Sequence, residues 1–358
     1  MKETPRLLVK DRSVHGWSWQ PALGFLVFAC SATPDAVNLK PTPNLTEVSS
    51  PFGFTGSLAS TAPAENELTE SRAKLGRRLF FETALSRTRE VSCSSCHEQS
   101  HAFADPRPVS VGIEGKMGKR NAPGLANLAW VRTGLFWDGR VASLEEQAGK
   151  PIEDANEMDL PLAEAVARLN SDASYVAEFQ AAYAEPPSEL SLRQALASFV
   201  RALVSSNSRY DAFLAGDSLA LNDSEKRGSD LFFSSRTGCF HCHTERTLTN
   251  DGFFNNGSYE PGGDIGRKGL TGRTGDLGKF RVPGLRNIAL TAPYLHDGSL
   301  PTLSDVIDHY AKGGRGDPST DVQIEPFELN AAEKADLLAF LGALTDQKFL
   351  TDPKFVER

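Results

Sequence analysis

The chain has 358 residues, 40% apolar and 23% charged, with a formal net charge of −8 and only three methionines. That acidic balance argues against a nucleic-acid partner and leaves a cationic or neutral protein partner open. No apolar run approaches the roughly 18 residues that a membrane span needs.

Residues 1–30 carry Lys2, Arg6, Lys10 and Arg12, then a short apolar run from Leu23 to Ala29 that ends at Cys30. This is the pattern of an export signal of lipoprotein type, with Cys30 as the lipidated first residue of the mature chain. Phe28 fits such a cleavage site poorly, so a non-lipidated signal cut nearby is the alternative. Residues 31–66 are rich in Ser, Thr, Pro, Ala and Asn without periodicity and read as a disordered tether. What remains is long enough for two domains of ordinary size.

The first of these, 67–206, opens with an amphipathic segment, Gly76-Arg77-Arg78-Leu79-Phe80-Phe81, followed by Cys93-Ser94-Ser95-Cys96-His97. The second, 207–350, has Gly228-Ser229-Asp230-Leu231-Phe232-Phe233 followed by Cys239-Phe240-His241-Cys242-His243, and 351–358 reads as a tail. In a CxxCH motif two thiols add across the vinyl groups of a porphyrin while the adjacent imidazole reaches its iron. The chain is therefore expected to hold two covalent haem c groups on Cys93, Cys96 and His97 and on Cys239, Cys242 and His243. A disulfide or zinc reading lacks partner residues at zinc spacing. Haem attachment of this kind takes place outside the cytoplasm, so the expected compartment is the periplasm.

Downstream the halves keep matching. Pro123-Gly124-Leu125-Ala126-Asn127 aligns with Pro283-Gly284-Leu285-Arg286-Asn287, and Phe136-Trp137-Asp138-Gly139 with Leu295-His296-Asp297-Gly298. Apolar spacing predicts helices over 160–170, 172–184 and 188–205, and Asn330 with Glu333 caps a closing helix through 344. No run of alternating strands is evident. The fold class is mainly α: two tandem cytochrome c-like domains related by internal duplication.

The duplication also compares the two irons. Ser143 with Glu146, and Thr302 with Asp305, start equivalent helices; eight residues on from each cap stand Pro151 and Tyr310. Proline cannot ligate iron, whereas a phenolate can. The expected axial sets are His243 with Tyr310 on the second haem and His97 alone on the first. Of the methionines, Met1, Met117 and Met158, none lies in the second domain. His309 is the rival ligand, but it points about 100° away from Tyr310 on a helix. An open iron that cleaves peroxide needs a base and a polar group, and Gln147 and Glu157 flank the Pro151 turn.

The run Phe136 to Arg140, Leu144-Glu145-Glu146-Gln147, Pro151, Glu157-Met158 and later Ala292 to Gly298 resembles the bacterial dihaem cytochrome c peroxidase and MauG superfamily over 67–345. The resemblance implies an acid/base role for Glu157 with Gln147 beside it, and an electron- or hole-carrying role for Trp137 between the haems. It also implies an interdomain Ca²⁺ held by Asn121, Thr291 and the carbonyl of Pro293. Tyrosine at 310, where ordinary peroxidases of the family have methionine, is similar to the branch that includes MauG and MbnH. Ile113 replaces the loop histidine that blocks the first haem in many peroxidases; His101 reads as a structural or surface residue. Thr237 stands where MauG has an exit tryptophan, and Trp130 is another exit candidate, though a structural aromatic is the simpler reading.

Three functions fit this reading. One is a MauG-like enzyme that reacts with hydrogen peroxide and oxidises a protein or peptide partner. The others are a peroxidase that removes hydrogen peroxide with electrons from a small redox donor protein, and a non-enzymatic dihaem electron carrier.

Overall fold

A computed structural model describes residues 62–244 and 248–357. The export signal, Cys30 and the tether through residue 61 lie outside the described residues. Eleven helices appear in chain order among the described residues: α1 Glu70–Phe80, α2 Leu144–Glu153, α3 Leu162–Asn170, α4 Ala173–Tyr183, α5 Glu189–Ala202, α6 Arg209–Leu214, α7 Asp223–Phe232, α8 Lys268–Thr271, α9 Leu303–Ala311, α10 Ala331–Ala343 and α11 Gln347–Thr351. The only named strands described, β1 Phe253–Phe254 and β2 Phe280–Arg281, form one short antiparallel pair. No described helix is long and apolar enough to cross a membrane.

Helix ends follow the capping chemistry in the sequence. The Thr302 side chain and the Asp305 carboxylate cap α9 reciprocally, as Asn330 and Glu333 cap α10. Ser143 accepts from the Glu146 N–H at the start of α2, but the Glu146 carboxylate bonds to the Ala142 N–H instead of closing the box.

In each half the helix before the haem motif crosses the half's closing helix at a glycine. A Cβ on Gly76 of α1 would overlap the carbonyl oxygen of Ala195 on α5, and one on Gly228 of α7 would overlap that of Asp336 on α10. Only glycine allows backbones this close. Beyond each glycine an aromatic pair closes the contact, Phe80 with Phe199 at 5.1 Å and Phe232 with Phe340 at 5.3 Å between ring centroids. The same rings reach the motif histidines, Phe80 to His97 at 6.4 Å and Phe232 to His243 at 6.3 Å. Gly76→Ala or Gly228→Ala is expected to cost roughly 1–3 kcal/mol or more by overpacking, read as a lowered urea midpoint.

The duplicated asparagines repeat a second device. Asn127 and Asn287 both adopt left-handed backbone, φ 61° and 62°. Each donates its N–H just past a closing helix, to Leu203 O and Leu344 O. Each carboxamide oxygen then accepts from the chain beyond, from Ser205 N and Asp346 N. Buried Asp346 in turn accepts from the N–H groups of Ser206 and Asn207 in the interdomain linker.

Both ends of the expected domain scheme need correction. Asn66, placed in the tether, is buried and donates to Glu145 and to the Gln194 carbonyl, because it fills a polar notch beside the Glu145–Arg201 ion pair. The closing residues, assigned to the second domain through 350 and then to a tail, instead strap the first domain. Phe349 and Phe355 are buried in its core, 5.6 Å and 6.3 Å from Phe103. Gln99 Nε2 donates to the carbonyls of Phe349 and Asp352, and Arg77 to that of Lys354.

Candidate functional site

Each CxxCH motif opens with a short 3₁₀ turn, Cys93–Ser95 and Cys239–His241, and each motif histidine donates its N–H to the first cysteine's carbonyl at 3.0 Å. His97 Nδ1 lies 2.7 Å from the Phe103 carbonyl and His243 Nδ1 2.8 Å from the Leu248 carbonyl. A carbonyl can only accept, so Nδ1 carries the proton and the Nε2 lone pair is left for a metal. Burial lowers both imidazoles, His243 to about 4, which keeps them in the neutral form that ligates iron. The four thiols are free of disulfides.

Cys239, Cys242 and His243 line a largely apolar cavity together with Phe232, Leu285 and Tyr310; its empty space, counted to the open mouth, is about 1340 Å³. That apolar lining, with two thiols and an imidazole in its wall, suits a porphyrin. Tyr310, on α9, receives a hydrogen bond from Asn256 Nδ2 at 3.3 Å. His309 is turned aside: its Nε2 sits 2.9 Å from the Asn256 carbonyl, and it does not border the cavity. Burial pushes the Tyr310 phenol up to about 12. A phenolate there requires a strong cation within the cavity, as ferric iron would be, so thiols, imidazole and phenol together fit a covalent haem.

Around the first motif, α2 carries Gln147 and, one turn on, Pro151, which places both on one face. Glu157 follows in the loop after the helix. Burial raises the Cys93 and Cys96 thiols, and the Glu157 charge adds a smaller push to each. Desolvation raises Glu157 to about 7, helped by the Asp154 charge and opposed by Arg140. The Glu157 backbone is anchored from the opposite loop, where Ile113 donates its N–H to the Glu157 carbonyl at 2.9 Å. Gly112 packs so closely on the Asn156 and Glu157 backbone that any Cβ would overlap it. Ile113 is buried. His101 is part-exposed and pairs with Glu98 at 3.2 Å. Trp130 is half-buried and packs beside Ala129 and Val204. Thr237 is buried, lines the cavity of Cys239 and Cys242 and donates its hydroxyl to the Leu231 carbonyl.

The halves meet through a reciprocal exchange. Asn121 donates its N–H to the His296 carbonyl at 2.8 Å, and Arg281 donates its N–H to the Trp137 carbonyl at 2.7 Å. Asn121 and Arg281 both stand two residues before a Pro-Gly, and Trp137 and His296 are the equivalent residues of the Asp-Gly turns. Trp137 Nε1 also donates to the Asn121 carbonyl at 2.8 Å. Trp137 borders both the second-motif cavity and a second cavity between the halves, which Asn121, Thr291 and Pro293 line. Among the described residues no cluster of three His, Cys, Asp or Glu side chains could hold a metal ion.

Residues 70–219 match the family model described as di-haem cytochrome c peroxidase. The chain is 38% identical over 286 residues to the methylamine utilization protein MauG of Methylorubrum extorquens, covering 79% of this chain and 80% of that protein. It is 33% identical to the cytochrome c551 peroxidase of Pseudomonas aeruginosa over 78% of this chain and 80% of that one. A solved MauG-like protein associated with microbial copper homeostasis superposes with a TM-score of 0.79 at 37% identity, covering 90% of this chain and 98% of that one. The chain belongs to the dihaem cytochrome c peroxidase and MauG family.

As a member of this family it is a haem-dependent oxidoreductase of peroxidase type, with a mainly helical dihaem fold. That sets aside the reading as a simple electron carrier. Sequence reasoning missed the functional interest of Arg281 and the backbone exchange around Asn121. The one available signal was the equivalence of Asn121 and Arg281 before the duplicated Pro-Gly.

Proposed function

We propose that this enzyme is a MauG-like, peroxide-dependent oxidase of a protein or peptide partner, acting in the periplasm with or without a lipid on Cys30. The observation that carries this reading is the cavity of the second haem motif, where Tyr310 borders the same space as Cys239, Cys242 and His243 while His309 bonds elsewhere. A tyrosinate favours the oxidised states of an iron and suits it to hold an oxidising equivalent rather than to accept electrons from a cytochrome.

When bound, the haem on Cys93, Cys96 and His97 supplies an iron that activates the O–O bond of hydrogen peroxide. The protein's part is proton handling. The Glu157 carboxylate takes the proton from one peroxide oxygen and returns it to the other, which leaves as water. The Gln147 carboxamide steadies that leaving oxygen, and Pro151 offers no ligand or donor of its own. Buried Ile113, fastened to the Glu157 carbonyl, keeps the blocking position free of a ligating side chain. Trp137, bordering the second-haem cavity and bonded to Asn121, is the electron or hole relay. A calcium ion at Asn121, Thr291 and the Pro293 carbonyl would bind through neutral oxygens in the cavity between the halves.

The copper-linked relative directs the search for the partner to copper-handling proteins. Ferric enzyme treated with peroxide, without prior reduction, is expected to develop a long-lived near-infrared charge-resonance band. A requirement for half-reduction, with activity rising on addition of a small cytochrome, would overturn the protein-oxidising reading in favour of peroxide removal.

A further inference from the structure

Arg281 is only 7% exposed, yet its guanidinium is poorly met. Nη1 makes one long bond, 3.4 Å, to the Val282 carbonyl. The facing carboxylate, Asp251 Oδ1, stands 3.9 Å away, beyond hydrogen-bond reach. Arg281 Nε and Asp251 Oδ1 both lack any hydrogen-bond partner. Asp251 instead uses Oδ2 to accept from the Arg132 N–H. A buried guanidinium with five donors and one weak bond is costly unless an anion answers it.

The position of the side chain indicates which anion. Arg281 lines the cavity of Cys239, Cys242, His243 and Tyr310, and also the cavity between the halves. Its backbone is held by the Trp137 carbonyl. The covalent haem expected in that cavity brings two propionate carboxylates of its own, and planar carboxylates suit the guanidinium fork. The equivalent residue of the first half is the neutral Asn121, so this positive charge belongs to one haem only.

We propose that Arg281 anchors a propionate of the second haem through Nε–H and Nη–H and so positions that haem's edge beside Trp137. It is a positioning residue, and the bound carboxylate neutralises a fixed positive charge next to the relay tryptophan. The inference rests on haem at Cys239 and Cys242, not on the identity of the reductant.

The test compares purified dihaem wild type, Arg281→Gln, Arg281→Lys and Asp251→Asn by resonance Raman and by redox titration. Arg281→Gln is expected to keep two haems, to shift the propionate bending band of the tyrosine-side haem alone, and to move that haem's midpoint to more negative potential. Arg281→Lys is expected to recover part of the midpoint and not the band, because a point charge replaces the fork. Asp251→Asn is expected to leave the band in place. An unchanged band in Arg281→Gln, or an equal shift in Asp251→Asn, would mean that Arg281 is merely Asp251's partner, and the proposal fails. Should Arg281→Gln not accumulate, a crystal structure of the wild-type holoprotein decides. A propionate oxygen about 3 Å from the guanidinium supports the anchor, and Arg281 closed onto Asp251 overturns it. Absence of the second haem from wild type would instead sink the dihaem reading itself.

Discussion

Glu157→Gln is expected to slow the reaction of the ferric enzyme with hydrogen peroxide by about 10²–10⁴, the usual cost of losing a positioned acid/base. The amide keeps the shape and the Ile113-to-Glu157 backbone bond while removing the group that accepts the proton. The pH dependence distinguishes this role from a structural one. Burial holds Glu157 at about 7, so its basic form is the minor one at pH 6 and the major one at pH 8. The wild-type rate should therefore rise with pH through about 7, falling near tenfold per unit well below it, and Glu157→Gln should flatten that slope. Stopped-flow traces at several pH values read both effects. An unaltered rate in the variant would remove Glu157 from the proton pathway.

Tyr310→His is expected to remove the near-infrared band after peroxide while leaving two haems per chain. A neutral imidazole in place of an anionic phenolate raises the midpoint of the second haem by on the order of a few tenths of a volt, within the roughly 0.8 V that axial ligands span. The oxidising equivalents would then no longer be held there and should decay through nearby side chains. Arrival at the first haem depends on Glu157 and Gln147 and should be nearly unaffected. Redox titration and near-infrared spectroscopy on the same sample test this. Retention of the band in Tyr310→His would move the axial ligand elsewhere, and His309 is the residue to change next, since it lies beside Tyr310 although its Nε2 is engaged by Asn256.

Local signals carried well into three dimensions. The two CxxCH runs form matching turns, the caps at Thr302 and Asn330 close as read, and the repeated Gly-to-Phe-Phe segments cross their closing helices at the same glycine. These features depend on residues close in sequence or on a pattern that the chain states twice. Long-range pairings were not legible. Asn66 reads as linker because its partners, Glu145 and the Gln194 carbonyl, lie far along the chain. The residues after 350 read as a tail because a single phenylalanine among charges gives no helical period, although Phe355 is fully buried. At the site, the roles of Asn121 and Arg281 in joining the halves are backbone roles, which side-chain identity does not encode.

The strap formed by Phe349 and Phe355 gives the chain an unusual order of assembly. Domains ordinarily mature in the direction of synthesis, the earlier before the later. Here the core behind His97 stays incomplete until a segment from the far side of the second domain has been made and threaded back to Phe103. Until then the domain that bears Cys93 and Cys96 lacks part of its apolar core.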